Sequence, residues 1–95
     1  MLRFTSAARK NIEAILTYLN ERSPAGARGV GRAIDKTAGS IGQFPDRGRL
    51  SGEADTRVVR VGRYPYLIHW RMSGADVWII HIRHSARRPW HGEDE

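Results

Sequence analysis

Histidines and arginines crowd the second half of the chain, among them His69, His81 and His84, with Arg60, Arg63, Arg83, Arg87 and Arg88. Guanidinium groups hold phosphate or carboxylate in a rigid fork, but their pKa is too high for ready proton exchange. Apart from His91 near the end, the imidazoles are the only groups in this region that titrate near neutral pH. Cleaving a phosphodiester would require a base for the nucleophile, a donor for the leaving oxygen and fixed positive charge. The arginines supply the charge, and His69, His81 and His84 are the candidate acids or bases, with His84, Arg63 and Arg83 the set a nuclease reading would take. The last lysine is Lys36 and the last tyrosine Tyr66, so neither an amine nor a phenol follows the final strand. Glu53 is the one Glu of its loop, and no pattern pairs it with His84. A metal site is not expected, because strand alternation puts His84 on the opposite face from His81. No cofactor motif is present.

The element that must position these groups is RVVRVGRYPYLIHWRMSGADVWIIHIRHSARR, residues 57–88. Its β-branched and aromatic residues, broken by glycines, predict strands over 57–61, 66–72 and 77–83. The break before the last strand is short enough only for an antiparallel hairpin. With residues 74–76 as a three-residue loop, Met72 faces Trp78, Trp70 faces Ile80 and Ile68 faces Ile82. His69 then lies opposite His81. That register gathers the large apolar groups, both tryptophans included, into a core floor. Trp70 and Trp78 could stack on bases, but burial is the expectation. Leu67, His69, Arg71, Ile79, His81 and Arg83 take the other face.

Charge singles out the same region. The chain of 95 residues carries 16 Lys and Arg against 10 acids, a formal +6. Residues 57–88 hold seven arginines and one acid, Asp76, whereas Glu93, Asp94 and Glu95 close an acidic tail. A concentrated basic face suits nucleic acid or an acidic protein partner. The length fits one domain, residues 1–90, with 91–95 as a short tail. Without cysteine there is neither a disulfide nor a thiolate zinc site, consistent with a cytoplasmic, reducing compartment. No apolar run is long enough to span a membrane, and Arg9 and Lys10 interrupt any signal-peptide core.

Upstream, MLRFT reads as an edge strand, with Ser6 expected to cap a helix over 7–21. Ala8, Ile12, Ile15, Leu16 and Leu19 recur at helical spacing. Ser23-Pro24 opens a second helix, whose stripe is Ala27, Val30, Ile34, Ala38, Ile41 and Phe44. Its five glycines weaken it, each by about 1 kcal/mol against Ala, so burial must hold it. They would also permit close helix contact. Pro45 stops the helix, and residues 45–55 form a surface loop in which Arg47 and Arg49 either solvate the chain or meet phosphate.

Phe44-Pro45-Asp46-Arg47-Gly48-Arg49, then Arg60-Val61-Gly62-Arg63-Tyr64-Pro65-Tyr66-Leu67-Ile68, then Ile82-Arg83-His84-Ser85-Ala86-Arg87-Arg88, follow a strand and a helix hairpin in this order. The arrangement resembles the RelE/ParE family of toxins from bacterial type II toxin–antitoxin modules. The resemblance implies an α+β fold: a short N-terminal strand and a two-helix hairpin packed on a mainly antiparallel sheet of about four strands. It also implies one of two activities. RelE-like members are ribosome-dependent mRNA endonucleases that use Lys and Arg on the sheet with a Tyr, or a His-Tyr pair, near the C-terminus. ParE-like members lack that set and poison DNA gyrase without hydrolysing anything.

This chain resembles ParE more closely. Its sheet has no lysine, and Ser85 rather than Tyr follows His84. The expected target surface is Arg60, Arg63, Arg83, Arg87 and Arg88. The expected antitoxin surface is Leu67, His69, Arg71, Ile79, His81 and Trp90. The resemblance implies an acidic, ParD-like ribbon-helix-helix antitoxin that folds across this surface. DNA gyrase is the implied target, with ribosome-bound mRNA the alternative.

Overall fold

The computed structural model describes residues 1–44, 46, 48–52 and 55–86. Seven elements follow one another: β1 (Leu2–Phe4), α1 (Ser6–Arg22), α2 (Pro24–Gln43), β2 (Arg49–Leu50), β3 (Arg57–Arg60), β4 (Tyr66–Ser73) and β5 (Asp76–His84). The strands form one five-stranded sheet in the order β1-β5-β4-β3-β2. All neighbours are antiparallel except β1 and β5, which run parallel. The expected edge strand is therefore present, and β2 supplies a strand within what reads as loop.

Each helix starts where its sequence demands. Thr5, not Ser6, caps α1: its Oγ1 accepts from the Ala8 N–H at 3.0 Å. Ser23 caps α2 the same way, accepting from Gly26, with Pro24 in the first turn. These side chains satisfy N–H groups that have no partner inside the helix, each contributing about 1 kcal/mol. Ala27, Val30, Ile34, Ala38 and Ile41 are buried as their spacing predicts. Phe44 is not; it ends the helix at 62% exposure, because α2 closes at Gln43 and its stripe does not continue. A Cβ added at Gly31 would meet the Leu16 side chain at 3.7 Å, an ordinary contact, so the approach of the helices there does not require glycine.

Both helices pack on one face of the sheet. There Ala8, Val30, Ile34, Ile41, Val61, Tyr66, Ile68, Trp70, Val77, Ile79 and Ile82 form the core. Each fully buried Ile or Val in it contributes about 1.5–3 kcal/mol of transfer free energy. The membership corrects the expected register. Ile68 does face Ile82, and His69 faces His81, but Trp70 faces Ile79 and Met72 faces Val77. The hairpin loop is the two residues Gly74 and Ala75, Gly74 taking φ +62°. Two-residue hairpin turns require such backbone, and glycine adopts it without strain.

The difference is absorbed by one extra residue. Between the Trp70–Ile79 and His69–His81 pairs, Ile80 has no partner on β4, so β5 carries a bulge there. Upstream of it, odd-numbered residues face the helices; downstream, even-numbered ones do. Ile79 is thus fully buried rather than outward, and Trp78 lies on the open face rather than in the core.

Candidate functional site

The open face of the sheet reads as three rungs. Arg3, Trp78 and Arg71 form the first, across β1, β5 and β4. His81, His69 and Val58 form the second, across β5, β4 and β3. Arg83, Leu67 and Arg60 form the third. Four guanidinium groups therefore flank a strip of Trp78, the two histidines and Leu67. The Arg3 guanidinium lies 5.9 Å from the Trp78 ring centroid and donates to Asp76 at 2.9 Å. That bond, with the N-terminal amine 3.3 Å away, holds the Asp76 carboxyl below the usual carboxylate range. Asp76 thus spends its charge on Arg3 and Met1, leaving Arg71 and Arg60 on an otherwise basic face.

The imidazoles are arranged edge to face, with the His69 and His81 centroids 5.2 Å apart. Arg83 Nη2 lies 3.5 Å from His81 Nε2. A guanidinium has only donors, so Nε2 is the acceptor and neutral His81 carries its proton on Nδ1. His84 is settled from the opposite nitrogen: its Nδ1 accepts from the Ala86 N–H at 3.1 Å, leaving Nε2–H as a donor. In both rings the basic lone pair meets a donor of the protein itself. That suits hydrogen bonding to an anion better than abstracting a proton. Among the described residues no group of three or more His, Cys, Asp or Glu could hold a metal ion.

A second feature lies on the helix side. A groove of about 860 Å³ runs along α1 from Ala7 to Tyr18, and Tyr64, Tyr66, Arg83 and His84 close its far wall. Here the expectation that no phenol stands beside His84 is corrected. Tyr66 pairs with His84 across β4 and β5, and their rings meet edge to face at 5.4 Å between centroids. The phenol comes from β4, not from beyond the last strand. Extending the Ile68–Ile82 pairing by two residues would have found it.

The expected site residues divide by face. Leu67, His69, Arg71, His81 and Arg83 are together on the open face, as their alternation predicts, and Arg60 joins them opposite Leu67. Arg63 is exposed in the tight turn after β3, where Arg60 Nε donates to the Tyr64 carbonyl at 3.1 Å. Ile79 is lost to the core, and Trp78 takes its place on the surface. Arg87, Arg88 and Trp90 lie outside the described residues.

Comparison with known proteins agrees with this fold. The family model for the ParE toxin of the parDE type II toxin–antitoxin system matches residues 2–89. Toxin RelE2 of Caulobacter vibrioides is 32% identical over 84 residues, 88% of this chain and 93% of that protein. Toxin RelE1 of the same bacterium is 26% identical, over 93% of this chain and 88% of its own. Among solved structures, the chromosomal ParDE system of P. aeruginosa superposes with a TM-score of 0.80 at 22% identity, covering 87% of this chain and 92% of that one. The RelBE2 toxin–antitoxin complex of Mycobacterium tuberculosis gives 0.61 at 22% identity, with 92% of each chain covered. The chain therefore belongs to the ParE/RelE family of type II toxins.

Proposed function

We propose that the protein arrests growth by binding DNA gyrase and that a cognate antitoxin neutralises it by covering the same open face. The engagement of both imidazole acceptors carries the reading. His81 Nε2 faces a guanidinium and His84 Nδ1 faces a backbone amide, while the chain's only lysines, Lys10 and Lys36, are on the helices. Among the described residues the open face offers fixed positive charge and apolar area with the His81 acceptor already engaged, which suits a binding surface. Arg60, Arg63 and Arg83 engage the target, as do Arg87 and Arg88. Leu67, His69, Arg71, His81 and Trp90 receive the antitoxin. An acidic, amphipathic segment of a ParD-like ribbon-helix-helix protein fits that surface by charge and by the half-buried Leu67 and Trp78 strip.

The contact between Tyr66 and His84 favours a second reading, ribosome-dependent mRNA cleavage, because it puts a phenol and an imidazole near Arg83. The two readings separate in one experiment. The purified chain is added to gyrase supercoiling and cleavage reactions, and in parallel to a translating system whose mRNA is mapped for cuts. Accumulated cleaved DNA with intact mRNA is expected. Cut mRNA with unaffected gyrase overturns the gyrase reading. Reversal of charge in Arg87→Glu/Arg88→Glu is expected to relieve growth arrest while the circular dichroism stays that of the parent.

A further inference from the structure

Two registers of the β4–β5 hairpin satisfy the apolar pattern of this sequence. In one, free of any bulge and with residues 74–76 as the loop, Trp78 and Ile80 enter the core beside Trp70. In the other, the one observed, Val77 and Ile79 enter it and Ile80 bulges. The half beyond Ile80 is identical in both, with Ile68 on Ile82. Burial does not choose the observed register, since Trp plus Ile hides more apolar area than Val plus Ile. Something else must select it.

The selecting contacts come from the first turns of α1. β1 pairs with β5 only as far as Phe4–Ile79, after which the chain turns into the helix. On that edge β5 would expose polar backbone, and two side chains take the place of the missing strand. Thr5 N donates to the Ile79 carbonyl at 3.0 Å, and Thr5 Oγ1 donates to the Ile80 carbonyl at 2.7 Å. Asn11 Oδ1 accepts from the Ile82 N–H at 3.0 Å. Thr5 thus grips the bulge from upstream and Asn11 from downstream. Thr5 is itself fixed to α1, because the same Oγ1 caps the Ala8 N–H. Any slip of the upstream half of β5 must break the Thr5 contacts while Asn11 holds the downstream half still.

We infer that the Thr5 contacts select the bulged register of β5 while Asn11 anchors the half common to both registers, and that they thereby place Trp78, instead of Ile79, between Arg3 and Arg71 on the open face, which makes Thr5 a positioning residue. Without the Thr5 contacts the hairpin slides into the bulge-free pairing, Trp78 turns into the core and the outer rung loses its aromatic group. The consequence for binding rests on the open-face reading given above; the choice of register does not.

The test uses the full chain labelled with 5-fluorotryptophan. The Trp78 resonance is identified by its disappearance in Trp78→Phe, and its solvent isotope shift reports exposure to water. Wild type and Thr5→Ser, which keeps the hydroxyl, are expected to show one water-accessible Trp78 signal. Thr5→Val is expected to add a shielded Trp78 signal, the ratio of registers moving roughly fivefold to tenfold for the side-chain hydrogen bond lost. Adding Ile80→Asn to Thr5→Val should restore the accessible signal, because the bulge-free register would bury the amide beside Trp70. If Thr5→Val does not fold, Thr5→Asp keeps a helix-capping acceptor but cannot donate to the Ile80 carbonyl, and is expected to show the same shielded signal. An accessible Trp78 in folded Thr5→Val or Thr5→Asp overturns the inference, as does a shielded one in the Ile80→Asn double variant. Growth arrest by Trp78→Ala is read separately: full toxicity there removes Trp78 from the binding surface and leaves the register assignment standing.

Discussion

Ile79→Ala separates a core strand from a partner surface, the two roles that alternation along β5 leaves open. Ile79 is fully buried and packs opposite Trp70 within the cluster that includes Ile34, Ile41 and Ile68. Truncating such a residue removes its transfer free energy and leaves a cavity, for a total cost of about 2–5 kcal/mol. In a domain of this size each kcal/mol lowers Tm by roughly 4–8 °C, so the variant should melt about 10–40 °C lower. Against a typical total of about 5–15 kcal/mol, that leaves little margin or none at ambient temperature. Leu67→Ala, half-buried on the open face, is the matched control and should cost under about 2 kcal/mol. Urea unfolding followed by far-UV circular dichroism measures both, with unchanged m-values required for comparison. If Ile79→Ala unfolds within about 0.5 kcal/mol of wild type, the size of an ordinary surface substitution, the bulge and the core built on it are wrong.

Two further outcomes follow from the same contacts. Asp76 has its pKa depressed first by the Arg3 hydrogen bond, so its contribution to stability is present above the ordinary carboxylate pKa and is lost as pH falls through the folded value. Asp76→Asn should therefore lower stability slightly at neutral pH and flatten its fall on acidification, read from urea midpoints across a pH series; a parallel fall in both proteins would refute this. Gly29 sits where an added Cβ would come 2.8 Å from Tyr64 Oη, against an ordinary helix gain of about 1 kcal/mol for Gly→Ala. Gly29→Ala should thus fail to stabilise the wild type but stabilise Tyr64→Phe, and additive changes in that cycle would exclude the contact.

The fold was legible where sequence signals were local. Ser23-Pro24 marks the start of α2, and the spacing of Ala27, Val30, Ile34, Ala38 and Ile41 marks its buried stripe, because both depend only on nearby residues. The Ile68–Ile82 and His69–His81 pairs were also readable, since apolar alternation fixes them beyond the bulge. What could not be read is the phase of β5 before Ile80. VWIIHI contains apolar residues at both parities, so neither face of that half is marked. Its resolution depends on Thr5, some seventy residues earlier in the chain. The same cause moved Ile79 from surface to core. The Tyr66–His84 contact was legible, and needed only the Ile68–Ile82 pairing carried to the end of the strand.

The two faces of this small sheet also constrain how such a toxin can be switched off. Two helices cover one side and make it core, and the described residues place nothing comparable over the three rungs opposite. Half-buried Leu67 and Trp78 give the rungs apolar area of the kind a partner covers. Arg60, Arg71 and Arg83 surround that area with like charge, which favours an acidic occupant and resists self-association. If target and antitoxin both use these rungs, their binding is mutually exclusive, and no conformational change in the toxin is needed for neutralisation. Arg71→Glu reverses a charge on the face that both partners would cover, and should then weaken neutralisation and arrest together. A variant that escaped the antitoxin with full toxicity would instead show that the two surfaces are separate.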